Sequence, residues 1–208
     1  MKLLRFGNPG SERPGVLDND GRLRDLSQYI SDLRGDALLP ESLARLRQLD
    51  LYSLPLVEGN PRIGACVGGI GKFICIGLNY ADHAAETGAD IPQEPVVFSK
   101  WTSAVVGPND NVIIPRGSQK TDWEVELGVV IGKGGRYIDE RDAMQHVAGY
   151  CVINDHVNVP EMAISHMQHT IMPIVIAIVY IVDIIAFLFM LFSSFLFNSM
   201  RFSLTFSS

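Results

Sequence analysis

The segment Thr121–Gly128, Thr-Asp-Trp-Glu-Val-Glu-Leu-Gly, alternates apolar and acidic residues without a break. A period of two argues for a strand, because neighbours on one helical face recur every three to four residues. Trp123, Val125 and Leu127 then share one face, and Asp122, Glu124 and Glu126 share the other. Strand rise sets Glu124 and Glu126 roughly 6.5–7 Å apart. Carboxylates held that way repel unless a cation lies between them or one takes up a proton. A hard divalent ion such as Mg²⁺, which prefers oxygen ligands, resolves the repulsion. Taken alone, these eight residues read more simply as a half-exposed strand with an acidic outer face.

The neighbouring segments supply partners. Phe73–Gly77 reads as a strand, and a helix starts near Asn79 or Ala81. On that helix His83 and Glu86 are three apart, hence neighbours on one face. A carboxylate beside an imidazole orients the ring and raises its basicity, as activation of water requires. The bland alternative is a weak surface pair. Pro95–Lys100 is a strand that delivers Lys100 at its end, where an ammonium can hold an anionic substrate. Val105–Val106 and Val112–Ile114 flank a turn at Gly107–Asp110, and Asp139–Met144 suggests a helix. Val147–Ile153 is a buried strand that runs into Asn154 and Asp155, a natural place for a third oxygen ligand.

The N-terminal part reads as a small β/α domain over residues 1–68, suited to packing or dimer formation. Lys2–Phe6 is a strand, and Asp20-Gly21 signals a hairpin between Gly15–Asp18 and Leu23–Leu26. Ser27 is placed to cap a short helix through Leu33, and Pro40–Leu46 has helical spacing. Gly68-Gly69-Ile70-Gly71-Lys72 fails as a phosphate loop: Cys66 stands where the first glycine belongs, and Phe73 follows the lysine. A net charge of −6 without a basic cluster argues against nucleic acid. Cys66, Cys75 and Cys151 form neither a disulfide framework nor a zinc site, which points to a reducing, cytoplasmic setting.

Four ordered motifs now stand together: Gly77-Leu-Asn-Tyr-Ala-Asp-His83, Phe98-Ser-Lys100, Asp122-Trp-Glu-Val-Glu-Leu-Gly128, and Gly149-Tyr150 with Asn154-Asp155. Their order and spacing resemble the fumarylacetoacetate hydrolase family over about residues 70–155. The N-terminal segments Lys2–Gly7 and Glu12–Gly15 are similar to its bacterial ureidoglycolate lyase and diketo-acid hydrolase members. The resemblance implies an α+β, mainly β fold, with a mixed β-roll over residues 69–156 and often a homodimer. It implies Mg²⁺ or Mn²⁺ held by Glu124, Glu126 and Asp155, with His83 and Glu86 activating water. The implied substrate is a small carboxylate, 2-oxo-acid-like (an acylpyruvate) or ureidoglycolate-like, cleaved at a C–C or C–N bond.

Beyond Asp155 the sequence departs from the family pattern. The only charged residues in 157–208 are Glu161, Asp183 and Arg201, and residues 171–197 form an apolar run. As one helix that run would span about 40 Å, enough to cross a membrane core of roughly 30 Å. Residues 157–208 are therefore expected to be an unrelated apolar helical tail, with 171–197 a possible transmembrane helix. The competing expectation is a mistranslated or chimeric segment that leaves the β-roll incomplete and the chain truncated, insoluble or inactive. A membrane-anchored remnant without activity is the alternative function.

Overall fold

The computed structural model describes residues 1–88, 90–158, 175–176 and 178–179. The chain opens with three antiparallel strands in the order β1-β2-β3: Lys2–Phe6, Arg13–Leu17 and Leu23–Asp25. The β2–β3 turn is built on the Asp-Gly signal. Gly21 takes φ +78°, and the Asp18 carboxylate accepts the backbone N–H groups of Asp20 and Arg22. Arg24 Nε donates to the same carboxylate at 2.8 Å, which compensates a buried charge.

Helix α1, Pro40–Arg47, begins on proline, where a missing N–H costs nothing. Glu41 in its first turn and Arg45 and Arg47 in its last complement the helix dipole. Its apolar stripe, Leu43 and Leu46, is buried against Leu3, Val16 and Leu33. Each such leucine contributes about 1.5–3 kcal/mol by burial.

The helix expected over Ser27–Leu33 does not form. Asp25 accepts the Ser27 N–H and Leu26 O accepts from Tyr29 and Ile30, closing a turn instead. Asp32 then bonds the Leu33 N–H and the Arg5 guanidinium, so local side-chain bonds replace a helical ladder.

The second half is β-rich. Strands β4 (Phe73–Gly77) and β5 (Val96–Lys100) form an antiparallel pair, and helix α2 (Ala81–Thr87) lies between them in sequence. Strand β6 is Val105–Val106, β7 Thr121–Asp122, β8 Val125–Ile131, β9 Val147–Asn154 and β10 Val157–Asn158. The long β8–β9 ladder pairs Val125 with Asn154 and Val129 with Tyr150. Val112–Ile114 is not a strand, and the segment before β9 is a 3-10 helix, Glu140–His146. These elements bear out a mainly β architecture with few helices.

The acidic segment is not one continuous strand. It breaks at Trp123–Glu124: β7 pairs with β10, while β8 pairs with β9. The Asp155 N–H donates to Glu124 O at 2.7 Å and carries the pairing across the break.

Of the expected single helix over 171–197, the structure describes four residues, in two short strands. Val175–Ile176 (β11) pairs with β6, and Ile178–Val179 (β12) pairs with β9. The remainder of that segment, and of the expected 157–208 tail, lies outside the described residues. Among the described residues no helix is long and apolar enough to cross a membrane.

Ala148 of β9 belongs to the same buried cluster as Leu3, Val16 and Leu43, so the core crosses the expected boundary at residue 68. Arg62 reinforces the junction. Its guanidinium meets Asp110 at 2.5 and 2.7 Å and Glu12 at 3.0 Å.

Candidate active site

The register of β8 and β9 decides which side chains meet. Val125 opposes Asn154 and Glu126 opposes Ile153, so Glu124 lies across from Asp155. Opposed residues in an antiparallel pair project to the same face, with diagonal neighbours within reach of long side chains. Glu124, Glu126 and Asp155 therefore share one face of the ladder.

That face is the sheltered one. Glu124 and Glu126 are half-buried and Asp155 is buried, whereas Trp123 and Val125 are each 65% exposed. The reading of an acidic outer face is thus inverted for Glu124 and Glu126, which look in while the apolar residues look outward; Asp122, before the break, is exposed.

The β4–β5 hairpin supplies the facing wall. Phe73 opposes Lys100 and Cys75 opposes Phe98, which puts Cys75 and Lys100 on one face of the hairpin. Lys100 Nζ donates to Asp155 Oδ1, and the two residues are only 9% and 7% exposed. Cys75 lies in the same field. Burial raises its thiol above the usual range, the Asp155 and Glu126 carboxylates add to this, and Lys100 opposes it. Tyr80 closes another side, its hydroxyl raised by burial and by Glu126.

Leu78, between β4 and α2, takes φ +51°, a left-handed conformation uncommon for a branched side chain. Such strain concentrates at functional sites. Here it turns the chain from the strand into Tyr80 and helix α2. That helix carries both His83 and Glu86, but their side chains lie outside what the structure describes.

The structure thus brings Lys100 to Asp155 and sets Glu124 and Glu126 on the same face. Sequence reasoning missed Cys75 and Tyr80. Cys75 alternates with Ile74 and Ile76 in a strand whose facing was unknown, so its inward position follows only from the pairing with β5.

The carboxylates fit a divalent cation by donor chemistry, since hard ions of this kind favour oxygen ligands. Among the described residues, no three His, Cys, Asp or Glu side chains are already gathered as a cation cluster. Asp155 is committed to Lys100 instead.

Residues 72–172 match the family model described as fumarylacetoacetate (FAA) hydrolase C-terminal. The match runs past Asp155, where the motif resemblance was expected to stop. A relative from Burkholderia multivorans, named provisionally as a hydrolase, is 66% identical over 155 residues, 74% of this chain and 55% of its own. The chain spans about half the length of the curated relatives it matches.

Among solved structures, a provisionally named HpcE protein from Mycobacterium smegmatis superposes with TM-score 0.66 at 28% identity, covering 88% of this chain and 67% of that one. A fumarylacetoacetate hydrolase from Exiguobacterium antarcticum gives TM-score 0.58 at 34% identity, covering 76% and 56%.

Proposed function

We propose, for a chain whose residues 72–172 belong to the fumarylacetoacetate hydrolase family, a divalent-metal-dependent hydrolase or lyase of a small 2-oxo-acid-like or ureidoglycolate-like carboxylate. The observation that carries the reading is the β8–β9 register. It puts Glu124 across from Asp155, with Glu126 on the same sheltered face.

Glu124, Glu126 and Asp155 would hold Mg²⁺ or Mn²⁺, with Asp155 sharing its carboxylate between the ion and Lys100. The bound ion supplies Lewis acidity to a substrate carbonyl and stabilises developing negative charge. The residues of the chain do the rest. Lys100 offers a buried ammonium to the substrate carboxylate, where a low local dielectric strengthens the attraction.

His83, one helical turn before Glu86, takes a proton from water as the oxygen adds to the carbonyl carbon. The bond being cleaved then breaks toward the leaving fragment, and the proton returns to that fragment. Half-buried Cys75 lines the site beside Lys100, with Tyr80 at its more exposed margin. Partners under this reading are the small-molecule substrate and a second copy of the chain.

The test is Mn²⁺ titration by calorimetry together with turnover of an acylpyruvate. Glu124→Gln, Glu126→Gln and Asp155→Asn should each weaken Mn²⁺ binding at least tenfold, and His83→Ala should lower turnover while leaving Mn²⁺ binding intact. Mn²⁺ binding that survives all three carboxamide substitutions overturns the proposal.

A further inference from the structure

We propose that Cys66 and Cys151 are a modification site, a thiol pair that a hydroperoxide converts to a disulfide joining the N-terminal domain to the sheet that carries the carboxylates. Both are free thiols, buried at 6% and 5% exposure, and they pack on each other between Val67 and Ile153.

The space for this contact is built in. Gly128 opposes Cys151 across the β8–β9 ladder, and a Cβ at Gly128 would stand 2.5 Å from the Cys151 sulfur. Cys151 projects to the same sheet face as Ile153 and Asp155, two pleats from the latter. A cross-link there ties β9 to the N-terminal domain four residues before Asp155.

The two sulfurs are not equivalent. Arg5 extends past Cys66, with its Nη1 3.5 Å from Ala65 O. A hydrogen bond from the Cys151 thiol lowers Cys66, and the Arg5 charge acts in the same direction, while the same pairing raises Cys151. Cys66 is therefore the nucleophile and Cys151 the resolving thiol. An apolar pocket lined by Cys66, Leu3, Leu33, Val67 and Val130 suits entry of a small uncharged oxidant.

In the first step the Cys66 thiolate attacks one peroxide oxygen and the O–O bond breaks. This leaves a sulfenic acid and an alkoxide or hydroxide that takes up a proton. In the second, the Cys151 sulfur displaces hydroxide from the sulfenic acid, and the thiol proton leaves with it as water. Two thiols lose two electrons in total, and the peroxide is reduced by two.

The test treats the full chain with hydrogen peroxide, quenches with an alkylating reagent in denaturant, and maps the peptides by mass. The expected result is loss of two hydrogens, a linked Cys66–Cys151 peptide and an alkylated Cys75, reversed by dithiothreitol. The variant Cys75→Ser should give the same linked peptide, and Cys151→Ser should leave a sulfenic acid at Cys66 that a dimedone probe captures. Separate sulfinic acids at the two positions, or full alkylation of Cys66 and Cys151 while Cys75 alone oxidises, overturns the proposal. The wild-type map decides it even if Cys151→Ser does not fold.

Discussion

Lys100 Nζ donates to Asp155 Oδ1 across 55 residues of sequence, and both partners are more than nine-tenths buried. Each charge has left water, so each depends on the other. Lys100→Met should leave the Asp155 carboxylate buried and uncompensated, at a cost of about 3–5 kcal/mol. Urea denaturation followed by fluorescence measures this. On the reading proposed above, added Mn²⁺ should restore more stability to Lys100→Met than to the parent, because an ion that binds only the folded state stabilises it. A variant as stable as the parent without metal would mean that the pair contributes little.

The outward face of β8 argues a different prediction. Trp123, Val125, Leu127, Val129 and Ile131 lie 41–65% exposed along one edge of the ladder. A row of apolar side chains of this kind favours association. Val125→Thr and Val129→Thr together keep β-branched shapes that suit a strand. They should reduce light scattering and dye binding while changing stability by less than about 1 kcal/mol. Unchanged scattering would place the sticky surface elsewhere.

Where the sequence was legible, the signal was local. The Asp-Gly hairpin, the strand at Lys2–Phe6 and the helix after Pro40 each rest on turn or cap chemistry within a few residues, and each formed. The acidic alternation correctly divided Trp123, Val125 and Leu127 from Glu124 and Glu126. It could not say which face was sheltered, because that depends on a hairpin some 25–50 residues upstream that sets Lys100 and Cys75 against the carboxylates. The helix expected after Ser27 failed for a related reason. Asp32 is drawn off by Arg5, a residue 27 positions away. The candidate triad was legible as a motif set, while the competing hold of Lys100 on Asp155 was not.

Two glycines close together in sequence should behave oppositely. A Cβ at Gly132 would collide with the Leu38 carbonyl and stand 2.8 Å from Ala148 Cβ, whereas one at Gly134 meets nothing within 4 Å. Neither takes a positive φ, so backbone strain is not at issue. Gly132→Ala should cost about 1–3 kcal/mol, since a backbone carbonyl cannot swing aside. Gly134→Ala should be neutral or stabilising by up to about 1 kcal/mol through the unfolded chain. Thermal melts of the two variants compare them directly. Equal losses would mean that the N-terminal domain yields at Leu38 without cost.

The Arg62 junction should be visible in the acid limb of stability. Hydrogen bonding to Arg62 holds the Asp110 carboxyl below its ordinary value. Glu12 is also lowered, its burial outweighed by hydrogen bonds and by the Arg62 and Arg5 charges. A carboxylate depressed in the folded state contributes stability that is complete above the unfolded value, about 4, and is lost as pH falls through the folded one. The urea midpoint should therefore hold from neutral pH down to about 4–5 and then decline. Arg62→Met removes the partner of Asp110 and one of the two cations on Glu12, which keeps Arg5. Because its guanidinium is partly exposed, the cost at neutral pH should be about 2 kcal/mol rather than the full value of a buried pair. Its acid limb should also be shallower than that of the parent. It should not be flat, because Asp18, lowered within its own hairpin despite burial, still titrates in the variant. Parallel acid limbs in parent and Arg62→Met would show that Arg62 does not set the titration of Asp110 and Glu12.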